Sequence, residues 1–327
     1  MTSGQAFRWR EQGQCWTGVI GNRWVRLRSQ PGSIAAETAV PVSDWAWLQH
    51  YLQLDLNLAD VLATFPADDS MRSAVTACHG LRLLRQDPWE CLASFILSST
   101  KQIVQIRQII SRLCELYGEP VAVPPGSDPD RSFPTAQKLA SASEAELRAC
   151  KMGFRAPHLL AAARAAAGGQ LDLDCLNELP LGSAREKLME LAGVGRKIAD
   201  CVLLFAYGFP TAFPMDVWVM KALRELYFPR RRVTPKKLLE FTSSYFGPNA
   251  GYAQQYLFHY VRVKTRGDRR RSGFRVQGSG FKVQGSKFKV DSQTGPTGLT
   301  KALTSTRPRA PFPSSRPSHD RGSLHPR

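Results

Sequence analysis

Several features that would assign this chain to common protein classes are missing. No apolar run approaches the length of a membrane-spanning helix, and the N-terminus lacks a signal-peptide pattern. The seven cysteines are odd in number, scattered and without a C-x-x-C pair, so we expect reduced thiols rather than a disulfide framework. The six histidines are dispersed. The sequence therefore predicts no membrane association, no metal site and no cofactor.

Acidic residues are scarce relative to basic ones. The chain has 27 Asp and Glu against 44 Lys and Arg, which gives a formal net charge of +17 at pH 7. Most of that excess lies after Lys264, so the remaining body is only mildly basic, as a local nucleic-acid-binding face requires. At 327 residues the chain is long enough to bury a large core and to form two or three subdomains.

Residues 4–42 have the pattern of short β-strands. Two aromatic and β-branched runs, Trp16–Ile20 and Trp24–Leu27, flank a Gly21-Asn22 pair that is typical of a hairpin turn. We predict an antiparallel N-terminal sheet, and we place the first domain at residues 1–75.

The pattern from residue 43 to about 208 is helical. Asp87 before Pro88 is a helix N-cap followed by a proline in the first turn, and residues 119–134 are predicted to be a surface loop. Residues 235–264 predict two further helices. The second domain is therefore placed at residues 76–264, and the fold class is α+β.

The last segment, residues 265–327, contains an imperfect seven-residue repeat with Phe274, Phe281 and Phe288 in register, followed by a Pro/Ser/Thr/Arg-rich stretch. Three short units cannot form a packed core, so we predict a disordered basic tail. It is either an arm that adds salt-dependent DNA affinity or an extension with no selected role.

Residues 188–219 carry the strongest functional signal. The turn Gly193-Val194-Gly195 lies between two apolar helices, and such a turn leaves backbone N–H groups at a helix N-terminus, where they can bind phosphate. Lys197 follows in the first turn of the second helix, and Asp216 opens a third helix after two prolines. An amine and a carboxylate beside a phosphate clamp indicate chemistry on a nucleic acid.

This segment resembles the helix-hairpin-helix and Gly/Pro-Asp element of the DNA glycosylase superfamily. Four further blocks resemble the eukaryotic-type 8-oxoguanine DNA glycosylases in that family's order, over roughly residues 4–260. They are GQAFRWRE at 4–11, GLRLLRQDPWECLASFILSS at 80–99, GFRAPHL at 153–159 and GYAQQYLF at 251–258.

The resemblance implies the roles of the two catalytic candidates. Lys197 matches the nucleophile that attacks the sugar C1′ and forms a Schiff base. Asp216 matches the carboxylate that orients the nucleophile and stabilises the oxocarbenium-like sugar. Independently of the family, an amine nucleophile must be neutral, and a helix N-terminus with apolar flanks disfavours the charged form of Lys197. The alternative for Asp216 is an ordinary N-cap, which is compatible with catalysis.

The resemblance also implies a base pocket. Gly4 matches the glycine whose carbonyl accepts N7–H of 8-oxoguanine and repels the bare N7 of guanine. Phe258 and Cys201 match the two walls that sandwich the flipped base, and Gln254 matches the amide that reads its Watson–Crick edge. Without the family, the last three residues would be read as core.

Residues implied to contact DNA are the hairpin and a wedge that fills the gap left by base flipping. They are Gly193, Val194, Gly195, Phe154, Arg155, Thr100 and Lys101.

The sequence departs from the family at the reader of the orphan cytosine. The family's triple asparagine is Thr100-Lys101-Gln102, and a cytosine-reading arginine is replaced by Gln105, with Arg107 nearby. The sequence therefore does not predict whether the protein prefers cytosine opposite the lesion.

A second departure lies beside the catalytic carboxylate. The family's histidine two residues after the aspartate is replaced here by Trp218, and the carboxylate that pairs with that histidine is replaced by Val261. We therefore expect packing in place of an ion pair. Only three residues precede Gly4, where the family has a further strand-bearing segment. We expect either a start upstream of Met1 or a TBP-like first sheet that is short of an edge strand.

The sequence thus predicts a base-excision repair enzyme: a glycosylase and abasic-site lyase that removes 8-oxoguanine from duplex DNA. Its partner is DNA containing an oxidised purine, and we expect a monomer in the cytoplasm or nucleoid of a prokaryote or the nucleus of a eukaryote. Two alternatives are a monofunctional alkylated-base (AlkA-type) glycosylase, disfavoured by Lys197, and an inactive helix-hairpin-helix DNA-binding protein, disfavoured by Lys197 with Asp216. The endonuclease III and MutY branch is disfavoured because no cysteine follows Cys201, so its C-terminal four-cysteine iron–sulfur cluster cannot form.

Overall fold

The N-terminal part of the chain forms the predicted antiparallel sheet. Alternating apolar residues turn one face of the strands toward a helix, and Gly21 takes a positive φ of 58° in the hairpin between the second and third strands. The structure, a computed structural model, describes residues 1–99, 102–271, 292–293 and 300–303. The sheet strands are β1 (Arg10–Gln12), β2 (Cys15–Ile20), β3 (Arg23–Gln30) and β4 (Ser33–Thr38).

The helical body follows. Asp87 caps its helix as predicted, with its carboxylate accepting from Glu90 N at 2.7 Å. The helices of the described residues are α1 (Ala46–Leu52), α2 (Leu58–Ala63), α3 (Asp69–Ala77), α4 (Pro88–Leu97), α5 (Ile103–Tyr117), α6 (Ala136–Ala140), α7 (Glu144–Leu147), α8 (Ala156–Ala167), α9 (Leu181–Met189), α10 (Arg196–Val202), α11 (Val217–Tyr227), α12 (Pro235–Tyr245) and α13 (Ala250–Arg271).

Two segments differ from the local prediction. The surface loop predicted at residues 119–134 contains a small antiparallel pair, β5 (Pro120–Val121) with β6 (Asp130–Arg131). Helix α13 runs past the predicted limit at Lys264 to Arg271. Residues 265–271 contain no proline and only one glycine, so they are compatible with a helix.

Of the tail predicted to be disordered, the structure describes the end of α13 and two short strands. These are β7 (Ser292–Gln293) and β8 (Thr300–Leu303), and β8 pairs antiparallel with both β4 and β7, so that β7 lies at the edge of the sheet. At these positions the backbone forms β-strands, where the sequence predicts disorder. The rest of the tail, with Phe274, Phe281 and Phe288, lies outside the described residues.

The side chains form two apolar cores. The smaller core joins the sheet to α1, and its central Trp9 is 2% exposed and donates to the Tyr51 hydroxyl at 2.9 Å. The larger core lies among the helices and includes Val61 and Met71 from α2 and α3. The domain limits at 75 and 264 stay predictions, but α2 and α3 pack with the helical body.

The hairpin between α9 and α10 is held by a buried ion pair. Arg185 Nε lies 2.6 Å from Asp200 Oδ1, and the Asp200 side chain is 1% exposed. Burial raises the pKa of Asp200, and the neighbouring Arg185 opposes that rise. A second arginine, Arg196, lies 3.6 Å from the other carboxylate oxygen. The two helices are therefore fixed in register around the turn.

Replacing Asp200 by Ala is expected to lower the free energy of unfolding by about 3 kcal/mol, since it leaves the largely buried Arg185 guanidinium without this carboxylate. The measurement is urea unfolding followed by circular dichroism. Glu190→Ala is the control, because it removes an exposed ion pair with Lys187 and should cost less than about 1 kcal/mol. Equal losses in the two variants would contradict a structural role for the buried pair.

Candidate active site

Lys197 lies in the first turn of α10 and reaches the end of α4. Its Nζ donates to Ser98 Oγ at 3.0 Å and lies 5.2 Å from the centroid of the Phe95 ring. Ser98 in turn donates its own hydroxyl proton to the Phe95 carbonyl at 2.7 Å, so its oxygen lone pairs face the amine. Ser98 stands in the 80–99 block, but sequence reasoning did not single it out, because pairing with Lys197 needs two helices to meet.

Asp216 is the N-cap of α11. Its Oδ1 accepts from Val219 N at 2.8 Å, and its Oδ2 accepts no hydrogen bond from the described residues. The side chain is half-buried. The N-cap interpretation is therefore correct for one carboxylate oxygen, and the other is available for chemistry.

Lys197 and Asp216 line one cavity of about 570 Å³. The wall is built from the N-terminal segment, the end of α4, the start of α5, α10, the start of α11 and α13. Of the residues proposed from the sequence, six line this cavity: Gly4, Lys197, Cys201, Asp216, Gln254 and Phe258.

Cys201 lies one turn after Lys197 on α10 and is 3% exposed. Burial raises the pKa of its thiol to about 12, with Lys197 opposing the rise and Asp216 adding to it. The residue therefore stays a neutral thiol at pH 7, which suits an apolar wall better than a nucleophile.

Gln254 and Phe258 share one face of α13 at i,i+4 spacing. Gln254 is 3% exposed, and its Oε1 accepts no hydrogen bond from the described residues. A buried acceptor without a donor costs about 1–3 kcal/mol, so a ligand that donates to it would recover that energy. Arg262, one turn on, lies with its Cζ 5.0 Å from the Phe258 ring centroid.

Gly4 takes a left-handed φ of +81° beside these residues. A Cβ built there would lie 3.0 Å from Arg262 Nη1 and 3.3 Å from both Ile103 Cδ1 and Phe258 Cε1. The adjacent Ser3 and Gln5 are 5% and 3% exposed, so this segment is packed into the fold.

The hairpin residues divide by role. Gly193 needs a positive φ of +84°, and a Cβ there would lie 2.5 Å from the His158 ring. Gly195 is exposed at the N-cap of α10, with no atom within 4 Å of a built Cβ. Val194 is buried at 5% exposure and its N–H donates to Leu191 O, so it holds the turn together, and its DNA contact stays a prediction.

The two residues of the predicted wedge differ in exposure. Phe154 is 56% exposed, as an inserting residue requires, whereas Arg155 is 2% exposed and donates to Met152 O at 3.2 Å. Arg155 stacks beneath Phe154, with Cζ 4.2 Å from the ring centroid, and so supports the wedge in this conformation. Thr100 and Lys101 lie outside the described residues.

The departures from the family pattern also have distinct positions. Gln105 caps α5, because its Oε1 accepts from Gln102 N at 3.1 Å, while Arg107 lines the cavity. Trp218 is 37% exposed at the cavity, and Val261 is 3% exposed on α13.

Two broader expectations concern the part of the chain that the structure describes. Within it, no cluster of three or more His, Cys, Asp or Glu could hold a metal ion. None of its helices is both long and apolar enough to cross a membrane.

Two family models together match most of the chain. Residues 1–92 match the N-terminal domain of 8-oxoguanine DNA glycosylase, and residues 93–248 match the HhH-GPD superfamily of base excision DNA repair proteins.

Curated relatives and a solved structure agree with these matches. The chain is 32% identical to the N-glycosylase/DNA lyase OGG1 of Arabidopsis thaliana, over 78% of this chain and 74% of that protein. It is 29% identical to a probable N-glycosylase/DNA lyase of Methanothermobacter thermautotrophicus, over 76% and 86%. The Clostridium acetobutylicum 8-oxoguanine glycosylase/lyase, solved with double-stranded DNA containing cytosine opposite 8-oxoguanine, superposes with a TM-score of 0.76 at 30% identity, over 80% of this chain and 90% of that one.

Proposed function

The chain belongs to the 8-oxoguanine DNA glycosylase family of the helix-hairpin-helix superfamily, and on that premise we propose that it excises 8-oxoguanine from duplex DNA and then cleaves the strand at the abasic site. The observation that carries this proposal is that Lys197 and Asp216 line one cavity with Gly4, Gln254 and Phe258. An enzyme of this kind acts where the genome is, in the cytoplasm or nucleoid of a prokaryote or the nucleus of a eukaryote.

Lys197 is the proposed nucleophile. Its neutral amine attacks C1′, the C1′–N9 bond breaks, and the base leaves with the bonding electron pair and takes up a proton. Opening of the sugar then gives a Schiff base between Nζ and C1′, and loss of a C2′ proton expels the 3′ phosphate. Ser98 holds the amine at the cavity wall before the attack. A monofunctional AlkA-type enzyme needs no amine at this position, so the presence of Lys197 in the cavity wall favours the bifunctional reaction.

Asp216 is the proposed electrostatic partner of the sugar. Positive charge develops at C1′ as the glycosidic bond lengthens, and a fixed carboxylate stabilises it without reorganising. The bond from Val219 N to Oδ1 fixes the rotamer and leaves Oδ2 for the sugar.

The base pocket is proposed to combine one carbonyl, one amide and two walls. The Gly4 carbonyl accepts N7–H of 8-oxoguanine, Gln254 reads the Watson–Crick edge, and the base lies between Phe258 and Cys201. Gln254 Oε1 is already dehydrated, so a base with a donor edge binds it without a further desolvation cost.

The DNA contacts are proposed at the hairpin and the wedge. Gly193 and Gly195 present backbone N–H groups to a phosphate, and Phe154 enters the stack in place of the flipped nucleotide. Thr100 and Lys101 stay predicted contacts on the orphan-base side.

Borohydride trapping tests the proposed chemistry directly. Wild-type protein is mixed with duplexes that carry 8-oxoguanine opposite each of the four bases, and a covalent adduct is expected. Lys197→Gln should abolish the adduct and lower base excision by at least about a thousandfold, because the covalent route is lost. The adduct yield across the four duplexes reports the opposite-base preference.

Lys187→Gln is the matched control, since Lys187 lies on α9 and pairs with Glu190 away from the cavity. It should trap like wild type. Full base excision by Lys197→Gln would overturn the assignment of the nucleophile, and an alkali-labile abasic site without an adduct would indicate a monofunctional enzyme.

Gly195→Ala tests the phosphate contact at the hairpin. The φ of −94° and the open space around a built Cβ let alanine fit the free protein, so the melting temperature should stay unchanged. Binding to a duplex with a stable abasic-site analogue, measured by fluorescence anisotropy, should weaken about tenfold as the methyl group blocks the phosphate. Gly182→Ala on α9 also meets open space and should bind normally. Unchanged affinity for Gly195→Ala would exclude a close phosphate at this N–H.

A further inference from the structure

The carbonyl groups of the two residues that flank Gly4 each accept a hydrogen bond from a buried glutamine. Gln255 Nε2 donates to the Ser3 carbonyl at 2.9 Å, and Gln86 Nε2 donates to the Gln5 carbonyl at 2.9 Å. Gln255 is 2% exposed and Gln86 is 8% exposed. Both amides are therefore committed to backbone of the N-terminal segment and not to solvent.

A third glutamine joins the same segment to the chain between α3 and α4. Gln5 Oε1 accepts from Leu84 N at 2.8 Å, and Gln5 Nε2 donates to Arg82 O at 2.9 Å. The side chain thus bonds both a backbone N–H and a backbone carbonyl of the segment that precedes α4. Together with Gln86 and Gln255 it holds both neighbours of Gly4 in place.

The Gly4 carbonyl itself accepts no hydrogen bond from the described residues. It belongs to the peptide plane between Gly4 and Gln5, which is flanked by the two planes that Gln255 and Gln86 hold. Glycine with a φ of +81° is a permissive hinge, so this middle plane could otherwise turn over. A flipped plane would present the Gln5 N–H in place of the Gly4 oxygen. That exchange of an acceptor for a donor would favour guanine, whose N7 is an acceptor, over 8-oxoguanine.

We propose that Gln255 is a positioning residue for lesion discrimination, which it secures by fixing the Ser3–Gly4 peptide so that the Gly4 carbonyl stays an acceptor facing the base. This inference rests on the proposed function, and it adds a residue that acts through Gly4 rather than touching the base. Gln255 stands on α13 beside Gln254 and three residues before Phe258. Helix α13 therefore carries the side chains of Gln254 and Phe258 and also, through Gln255, restrains the peptide before Gly4.

Gln255→Met tests the hydrogen bond at nearly constant side-chain volume. Two single-turnover rates are compared with wild type: excision of 8-oxoguanine, and cleavage of a duplex that already carries an abasic site. Excision should fall about tenfold, the typical effect of one lost positioning hydrogen bond. Abasic-site cleavage, which needs Lys197 but no base in the pocket, should change less than twofold.

Gln255→Glu supplies a rescue that a merely structural role would not show. A protonated carboxyl can donate to the Ser3 carbonyl as the amide does, whereas the ionised form repels it. Burial raises the pKa of such a group above its ordinary value, so the variant should excise like wild type at low pH and lose activity as pH rises through that pKa. The ratio of variant to wild-type excision rate is measured from pH 5.5 to 8.5, with abasic-site cleavage as the internal reference.

Tyr207→Phe is the matched control, because it removes another side-chain hydrogen bond to backbone, at 2.7 Å to Leu173 O, away from Gly4. It should leave the ratio of the two rates unchanged. Equal loss of both activities in Gln255→Met, or no loss and no pH dependence in Gln255→Glu, would overturn the inference while the proposed function stands. Wild-type protein that excises no 8-oxoguanine would overturn both.

Discussion

The buried ion pair between Arg185 and Asp200 is the interaction on which the active site depends most. It ties α9 to α10 at 2.6 Å in a place almost closed to water. Helix α10 carries Lys197 in its first turn and Cys201 one turn later, so any slip between α9 and α10 would move the hairpin and Lys197 together. Such a pair adds little net stability over an apolar contact, but it is costly to break and so selects one register.

A second constraint operates from the opposite ends of the described chain. Ser3 and Gln255 are 252 positions apart, yet one hydrogen bond joins them at the cavity. In the proposed base pocket, the Gly4 carbonyl must be held against rotation to act as an acceptor, and a glycine with positive φ does not supply that rigidity alone. The hydrogen bonds of Gln255, Gln86 and Gln5 restrain the residues around Gly4, and the burial of these glutamines makes a lost hydrogen bond costly.

The cavity also shows how a site tolerates departures from its family's pattern. The resemblance places Trp218 and Val261 where a histidine and its carboxylate partner are expected, and both residues are apolar, so packing takes the place of the expected ion pair. Gln105 has become a helix cap. Cationic side chains reach the cavity from other elements, with Arg107 on α5 and Arg262 on α13. These two arginines place positive charge at the cavity, where it favours a polyanionic ligand.

What the sequence alone determined is local: the hairpin turn, the capping aspartates Asp87 and Asp216, and the pairing of apolar spacing with helices and strands, because these depend on residues a few positions apart. The six cavity residues were also predicted from local motifs, namely the hairpin segment 188–219 and the blocks at 4–11 and 251–258. Only the tertiary structure decided that Val194 and Arg155 are buried, that Ser98 meets Lys197 and that Gln255 holds Ser3. Each of those outcomes depends on which distant elements pack together, and neither periodicity nor spacing encodes the partner across such a contact.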